Sequence, residues 1–208
     1  MNTYIGFSGV AGAGKDLLFS LLSKRIKCRR LSLADALKAE VADFTKEAYG
    51  IDPLTCSPKD KEVIRPLLVF HGSVKRNRTM GRYWIDQMNN KILKNKIENE
   101  TVIITDIRYD DYPYDEVHWL QEELKGLLVH ISLIKEINGK YLDRPPANRE
   151  EERNDPKIQE KADYKLRWPL VHGNKEEQLV PYINEFLWWF DRETGRLSAC
   201  KQAEGSSL

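Results

Sequence analysis

The chain has 208 residues, of which 41% are hydrophobic and 31% are charged, and its formal net charge is +1 at pH 7. This length and hydrophobic content predict one globular domain with a sizeable core, and they exclude an intrinsically disordered chain. The near-neutral charge gives the whole molecule no electrostatic attraction to nucleic acid or to a membrane surface, so we expect neither as a partner.

The cysteines and histidines favour an intracellular protein without a zinc site. The three cysteines are widely spaced and form no C-x-x-C pair, which is typical of reduced thiols in the cytoplasm. The four histidines share no metal-ligand spacing. No apolar run reaches the ~18 residues of a membrane span, and no signal peptide is predicted. These residues are Cys28, Cys56, Cys200, His71, His118, His130 and His172.

The first half of the chain alternates strand and helix patterns. The short apolar run TYIGFS predicts a buried strand, and apolar residues at helical spacing predict a helix next. A second strand, RRLSLA, is followed by a helix that Gly50 and Pro53 end. Two more helices follow, joined by a basic link. The predicted bounds are strand Thr3–Ser8, helix Lys15–Ile26, helix Ala36–Tyr49, helix Lys59–Lys75 and helix Arg82–Asn95.

The second half continues the alternation around one polar excursion. The β-branched run TVIITD predicts a strand that ends on Asp106, and LLVHISLI predicts another. The segment 143–163 is too charged for the core and predicts a mobile excursion with one or two short helices. The remaining predicted elements are helix Asp115–Lys125, strand Lys165–His172, a core helix at about Val180–Phe190 that contains FLWWF, and a disordered tail at 191–208. Strands alternating with helices predict an α/β fold with a parallel sheet covered on both faces.

One motif carries the strongest functional signal. Gly9, Gly14 and Lys15 fit the phosphate-loop pattern G-x-x-x-x-G-K-[ST], and they stand between the first strand and a helix, as that pattern requires. Glycines let backbone N–H groups approach phosphate oxygens, the helix N-terminus adds positive charge, and the lysine spans the β- and γ-phosphates. The competing interpretation is a glycine-rich turn that only begins a helix. The predicted ATP-binding residues are Gly9, Ala11, Gly12, Ala13, Gly14, Lys15, Asp16 and Leu17.

Three carboxylates near the predicted strand ends have two interpretations each. Asp16 stands where a phosphate loop has a hydroxyl; it is either a ligand of Mg²⁺ or an ordinary acid in the first turn of a helix. Asp106 ends a strand and either holds Mg²⁺ through water or caps the following turn. Asp35 is either a base for a hydroxyl acceptor or the N-cap of the helix beginning at Ala36.

Several short segments resemble the deoxynucleoside monophosphate kinases of tailed phages. SGVAGAGKD is similar to that family's S-G-x-x-x-S-G-K-D loop, in which Asp follows the loop lysine. LADALKAEV, IRPLLVFHGSVKR, RYWID and VIITDIRYDDYPYDEVHWLQE resemble four further segments of the family, in the same order over about residues 3–190. The loop has Ala13 for the family's Ser, Val69 and Ser73 replace its Gln and Thr, and extra residues precede Glu116.

The resemblance implies a fold and a reaction. The implied fold is a five-stranded parallel phosphate-loop kinase domain over residues 1–190, with an acceptor-binding helical region and a lid at about 143–163. The implied reaction transfers the γ-phosphoryl group of ATP, with Mg²⁺, to a deoxynucleoside monophosphate. The implied setting is the cytoplasm, that of the host if the source is viral. The expected partners are small-molecule nucleotides, and a homodimer is compatible with these expectations.

Cations that could hold two polyanions together fall in three regions. Arg65 and Arg76 lie in the acceptor region and, with Arg108, match family positions. Lys38 contacts the acceptor phosphate or is a solvated lysine, and Trp84 stacks on a base or packs in the core. The predicted catalytic residues are Lys15, Arg108, Arg144, Arg149 and Arg153; the predicted acceptor-binding residues are Asp35, Lys38, Arg65, Arg76, Trp84, Asp106 and Arg108; the predicted metal ligands are Asp16 and Asp106.

Three functions therefore remain open from the sequence. The first is a nucleoside monophosphate kinase. The second is a phosphate-loop kinase for another small molecule, of the dephospho-coenzyme A or phosphomevalonate type. The third is a nucleotide-dependent switch protein, against which the arginine-rich excursion argues.

Overall fold

A computed structural model describes residues 2–94, 99–137, 140–171 and 175–195 of the chain. Within these ranges, six strands form one sheet in the order β2-β3-β1-β4-β5, with β6 also paired to β4. Every pairing is parallel except that of β5, which runs antiparallel to the last residues of β4. The strands are β1 (Thr3–Ser8), β2 (Cys28–Leu31), β3 (Thr101–Ile104), β4 (Leu127–Ile137), β5 (Lys140–Asp143) and β6 (Tyr164–Pro169).

Seven helices connect and cover these strands in the described residues. They are α1 (Lys15–Ser23), α2 (Leu33–Tyr49), α3 (Pro58–Arg78), α4 (Arg82–Lys94), α5 (Glu116–His118), α6 (Arg149–Lys161) and α7 (Lys175–Glu193). A π-helical turn, Trp119–Glu123, extends α5. None of the described helices has the length and apolar character needed to cross a membrane.

Helix starts and ends follow from local side chains. Ser57 Oγ accepts from the backbone N–H of Asp60 and caps α3, and Pro58 takes the first helical position, where no N–H is needed. Asn148 Oδ1 caps α6 by accepting from the N–H of Glu151 at 2.9 Å. Gly50, with φ 66°, ends α2 in the left-handed conformation that glycine adopts without strain.

Alternate residues of the central strands enter two separate cores. Ile5, Phe7 and Ile103 pack with α1 and α7 on one face of the sheet. Val102 and Ile104 pack with α4, α5 and Ile158 of α6 on the other face. Because successive strand residues point to opposite faces, continuous apolar strands require cover on both sides. The predicted α/β fold with a parallel sheet between helical layers is confirmed.

The structure corrects several predicted elements. Helix α2 begins at Leu33 rather than Ala36, so Ser32 takes the N-cap position, and the interpretation of Asp35 as that cap is wrong. The sheet has a sixth strand, β5, which the sequence analysis missed because its four residues are all exposed. Trp188 is 57% exposed, so FLWWF is not wholly core. The predicted tail begins too early, since α7 continues to Glu193, while residues 196–208 lie outside the described part.

The polar excursion folds as one 13-residue helix, α6. Asn154 and Ile158 are buried against the sheet, although the surrounding sequence is highly charged. Asn154 Nδ2 donates to Asp111 Oδ2 at 3.2 Å, and its Oδ1 accepts from the N–H of Asp110 at 3.1 Å. Two inward-facing residues one turn apart therefore anchor α6 while its other faces remain charged.

Candidate functional site

The segment between β1 and α1 has the backbone geometry that its glycines predict. Gly9, Gly12 and Gly14 have φ values of 117°, 78° and 100°, which residues with a Cβ rarely adopt. A Cβ at Gly9 would lie 2.2 Å from the carbonyl oxygen of Ile131. No side chain caps the N-terminus of α1, so its first N–H groups remain available to an anion.

A tryptophan to which the sequence analysis gave no role packs against this loop. Trp168, at the end of β6, is buried, and its Nε1 donates to the carbonyl of Ala13 at 2.9 Å. A Cβ at Gly14 would lie 2.5 Å from the ring of Trp168. The indole therefore fixes the last turn of the loop and excludes any larger residue at position 14.

Lys15 folds back into the loop. Its Nζ donates to the backbone carbonyls of Gly9 and Val10, the latter at 2.9 Å. Burial, with a smaller contribution from the Arg108 charge, lowers the pKa of Lys15 to about 8. The ammonium is therefore held among backbone oxygens, beside the uncapped N-terminus of α1.

Helix α6 and the residues before it lie over the same loop. Arg144 Nε donates to the carbonyl of Ala11 at 2.7 Å, and Glu151 Oε1 accepts from the Ala11 N–H at 3.1 Å. The other oxygen of Glu151 accepts from the N–H of Ala147 at 2.9 Å. One backbone N–H of the loop thus already binds an anionic oxygen, which is the chemistry of a phosphate group.

A cavity of about 250 Å³ opens beside Lys15. Its walls come from α1, α2, α3, α4, the start of α5, the end of β2 and the segments after β2 and β3. Apolar side chains and cations line different parts of it. The apolar lining includes Leu33, Leu37, Leu68, Val69 and Trp84; the cationic lining includes Arg30, Lys38, Lys61, Arg65, Arg76 and Arg108.

The predicted acceptor-binding cations face this cavity with different partners. Arg108 is exposed, and among the described residues its guanidinium has no hydrogen-bond partner. Arg65 Nε donates to Glu62 at 2.8 Å, within α3. Lys38 lies 3.7 Å from Asp35.

Asp35 does not line the cavity. Its carboxylate is paired with Arg30 at 3.2 Å as well as with Lys38. A base that is paired with two cations and is not part of the cavity wall is poorly placed to take a proton from an acceptor there.

Trp84 combines the two interpretations that the sequence allowed. It is buried, and its Nε1 donates to the carbonyl of Gly72 at 3.2 Å, so it packs α4 against α3. The same side chain forms part of the cavity wall.

Asp106 acts as the cap of α2 in this structure. Its carboxylate accepts from Ser32 Oγ at 2.7 Å, from the Leu33 N–H at 2.9 Å and from the Ala34 N–H at 2.8 Å. These bonds tie the end of β3 to the start of α2. One interpretation from the sequence was that Asp106 caps the turn that follows it. In the structure it caps α2 instead, a helix that begins more than 70 residues earlier in the chain.

Asp16 and Asp106 fit a hard cation in their chemistry and position. Both line the cavity beside Lys15, and carboxylate oxygens are ligands that Mg²⁺ accepts directly or through water. The Asp16 side chain is 83% exposed, with Arg30 at 3.6 Å. The described residues contain no cluster of three or more His, Cys, Asp or Glu that could form an all-protein metal site, so further ligands would have to come from phosphate and water.

Arg76, predicted to bind the acceptor, lies in a buried ion pair. Its guanidinium donates to Asp115, lies 3.5 Å from Asp111 and is sandwiched against Tyr109 and Tyr112 with centroid distances of 4.0 and 4.9 Å. Asp115 is fully buried and also accepts from backbone N–H groups, including that of Asp111 at 2.9 Å. Arg76 therefore holds together α3 and the segment after β3, while one edge of it lines the cavity.

Of the three arginines predicted to be catalytic in segment 143–163, only Arg144 contacts the loop in the described structure. Arg153 donates to Asp111 at 2.7 Å and to Glu150 at 2.6 Å. Arg149 begins α6 and has no ion pair with any described residue. The catalytic role of each remains a prediction.

Glu116 is a buried carboxyl in the cavity wall that the sequence analysis did not assign. Its Oε2 accepts from the backbone N–H groups of Arg108 at 2.6 Å and Tyr109 at 3.1 Å. Burial, with the neighbouring Asp115 charge second, raises the pKa of Glu116 to about 8. Sequence could have offered one signal, because Glu116 lies within the family-like segment VIITDIRYDDYPYDEVHWLQE, which begins in β3.

No family model matches the chain, and no curated protein matches it. Among solved structures, the fold is similar to that of a dephospho-CoA kinase from Campylobacter jejuni. The TM-score is 0.45 and the sequence identity 13%, over 89% of this chain and 96% of that chain. A similarity this low establishes neither the reaction nor the substrate of this chain.

Proposed function

We propose that the protein is a phosphate-loop kinase that transfers the γ-phosphoryl group of ATP to a nucleoside monophosphate. The observation that carries the proposal is the position of Lys15, which belongs both to a glycine loop with an uncapped helix start and to the wall of a cation-lined cavity. A donor bound at the loop and an acceptor bound in the cavity would meet at this lysine. Such transfer depends mainly on positioning and on neutralising charge.

The loop supports the ATP half of the proposal. The Ala11 N–H donates to the Glu151 carboxylate, and α1 presents its positive end to the same place. Mg²⁺, held by Asp16 and by Asp106 through water, would neutralise phosphate charge. Lys15 would leave the carbonyls of Gly9 and Val10 to reach the β- and γ-phosphates.

The cavity supports a phosphate acceptor rather than a hydroxyl acceptor. A monophosphate oxygen is already largely deprotonated near pH 7 and needs no base, since the second pKa of a phosphate is about 6. Asp35 is paired with Arg30 and Lys38 and lies outside the cavity wall, while Asp106 already accepts three hydrogen bonds. Arg108 and Arg65, in contrast, present guanidinium groups suited to phosphate.

The nature of the acceptor is tested by a coupled assay with ATP and a panel of ribo- and deoxynucleoside monophosphates. From the resemblance to the phage enzymes, we expect a deoxynucleoside monophosphate to be the best acceptor. Phosphorylation of dephospho-coenzyme A or phosphomevalonate, with no monophosphate accepted, would move the protein to the second function. ATP binding without phosphoryl transfer to any acceptor would favour the third function, a nucleotide-dependent switch protein.

The contact of Glu151 with the loop leads to a separate expectation. Glu151→Ala should tighten binding of a non-hydrolysable ATP analogue at least about fivefold, because the carboxylate occupies the Ala11 N–H and repels the polyphosphate. Isothermal titration calorimetry measures the dissociation constant of the ATP analogue. Glu152→Ala is the matched control, since it removes the same charge from an exposed position on the same helix. Equal affinities of the two variants would mean that the Glu151 contact does not compete with nucleotide.

A further inference from the structure

Glu116 stands out because its two oxygens have different surroundings. Oε2 accepts both the Arg108 and Tyr109 N–H groups, whereas no donor from the described residues reaches Oε1. Glu116 is only 4% exposed, yet it forms part of the cavity wall. Oε1 is not among the fully enclosed atoms that lack a partner, so it is open to the cavity. Charge on a side chain so largely withdrawn from water is costly.

Burial first, and then the negative charges of Asp115 and Asp106, favour the neutral form of Glu116. The opposing contributions are smaller: Arg76 is already held by Asp115, and Arg108 acts through its backbone N–H. A neutral carboxyl with Oε2 accepting from the backbone has its proton on Oε1, which then becomes a hydrogen-bond donor. The charged and titratable groups that face Glu116 are Asp115 at the N-cap of α5, Asp106 after β3, Arg76 on α3, and Arg108 and Tyr109 in the intervening segment.

The remaining cavity lining indicates what this donor would contact. Leu37, Leu68 and Trp84 provide apolar walls for a flat ring, while the cations that suit a phosphate are Lys15, Lys38 and Arg108. We propose that Glu116 is a specificity-determining residue of this cavity, donating a hydrogen bond from Oε1 to a ring nitrogen or carbonyl of the acceptor's base. The assignment rests on the proposed function, and it adds to that function the protein group that contacts the base of the acceptor.

The conservative variant Glu116→Gln tests the assignment. A glutamine can accept the two backbone N–H groups with its oxygen and donate into the cavity with its amide, at any pH. At about pH 9.5 we therefore expect the wild-type KM for the acceptor to exceed that of Glu116→Gln by about tenfold, whereas near pH 7 the two should agree within about threefold. Glu116→Ala should raise KM at both pH values.

Lys15 and the ring of the acceptor titrate equally in assays of the wild type and of Glu116→Gln. Comparing the two KM values at the same pH therefore removes their effect. Glu122→Gln, at an exposed position four residues before Gly126, is the matched control and should follow the wild type throughout. A wild-type KM that stays equal to that of Glu116→Gln at high pH would overturn the proposal. A fall in kcat of Glu116→Gln of about 100-fold with unchanged KM would also overturn it, because Glu116 would then act as a base.

A second measurement does not depend on turnover. Since the folded-state pKa of Glu116 lies above its unfolded value, the native state binds the extra proton, and stability should fall as pH rises from about 4.5 to about 8. In urea unfolding, the free energy of unfolding of Glu116→Gln should lack this fall between about pH 4.5 and about pH 8. If the two proteins lose stability in parallel, Glu116 is already ionised and the proposal fails. If no monophosphate is phosphorylated but this difference is observed, the proposed function fails while the neutral donor stands.

Discussion

Lys15→Ala should fold normally and lose at least about 100-fold in turnover. The lysine is the cation shared by the loop and the cavity, and removing a preorganised charge from a transferring phosphoryl group typically costs two to three orders of magnitude. The structural cost should be modest, because among the described residues Lys15 bonds only to the carbonyls of Gly9 and Val10. Steady-state kinetics with ATP and the best acceptor measure the effect.

Lys27→Ala serves as the control for this experiment. Lys27 is an exposed lysine shortly after α1, so its removal changes the net charge equally without touching the loop. Circular dichroism and melting curves of both variants show whether they are folded. Near-wild-type turnover by a folded Lys15→Ala protein would contradict the phosphate-loop interpretation of the whole segment.

The largest effect on stability is expected from Arg76→Ala. The ion pair of Arg76 with Asp115 is almost completely buried, and removal of one partner leaves the other charge in the interior. Breaking such a pair typically costs about 3–5 kcal/mol in the free energy of unfolding. Loss of the ring contacts with Tyr109 and Tyr112 adds to this cost.

Urea unfolding of Arg76→Ala and Arg78→Ala measures the difference. Arg78 is two residues further along α3 and exposed, so its replacement should change the free energy of unfolding by no more than about 0.5 kcal/mol. In the double variant Arg76→Ala/Asp115→Asn, part of the loss should be recovered, because no uncompensated charge remains. A loss below about 1 kcal/mol in Arg76→Ala would mean that Arg76 contributes little to the fold and is available to a ligand.

The parts of this protein that sequence predicted are those with local causes. The strand Thr3–Ser8 was predicted with its observed bounds, because a short apolar run between polar residues has few alternatives. The positive φ values of Gly9 and Gly14 follow from residue type and motif spacing. Alternation of strands and helices was enough to predict a parallel sheet with two covered faces, since a crossover between parallel strands requires a connecting helix.

The structure added most at side chains whose partners come from distant segments. Asp35 was a plausible cap for α2, but the N–H groups of Leu33 and Ala34 are bound by Asp106, from the end of β3. The helix therefore begins earlier than its own sequence indicates. The acceptor-binding role of Arg76 stays a prediction, and only the approach of Asp115 places the same guanidinium in a buried ion pair.

By itself, the sequence determined the layered α/β fold, the conformation of the glycine loop and the position of Lys15 at its end. The tertiary structure alone decided that Glu151 of α6 binds the Ala11 N–H across 140 positions of sequence, that Trp168 supports the loop, and that Glu116 is buried beside Asp115 in a cavity wall. The physical reason is the range of each interaction. Backbone conformation and hydrophobic periodicity depend on neighbouring residues, whereas ion pairs, burial and pKa depend on whichever groups the completed fold brings within a few ångströms.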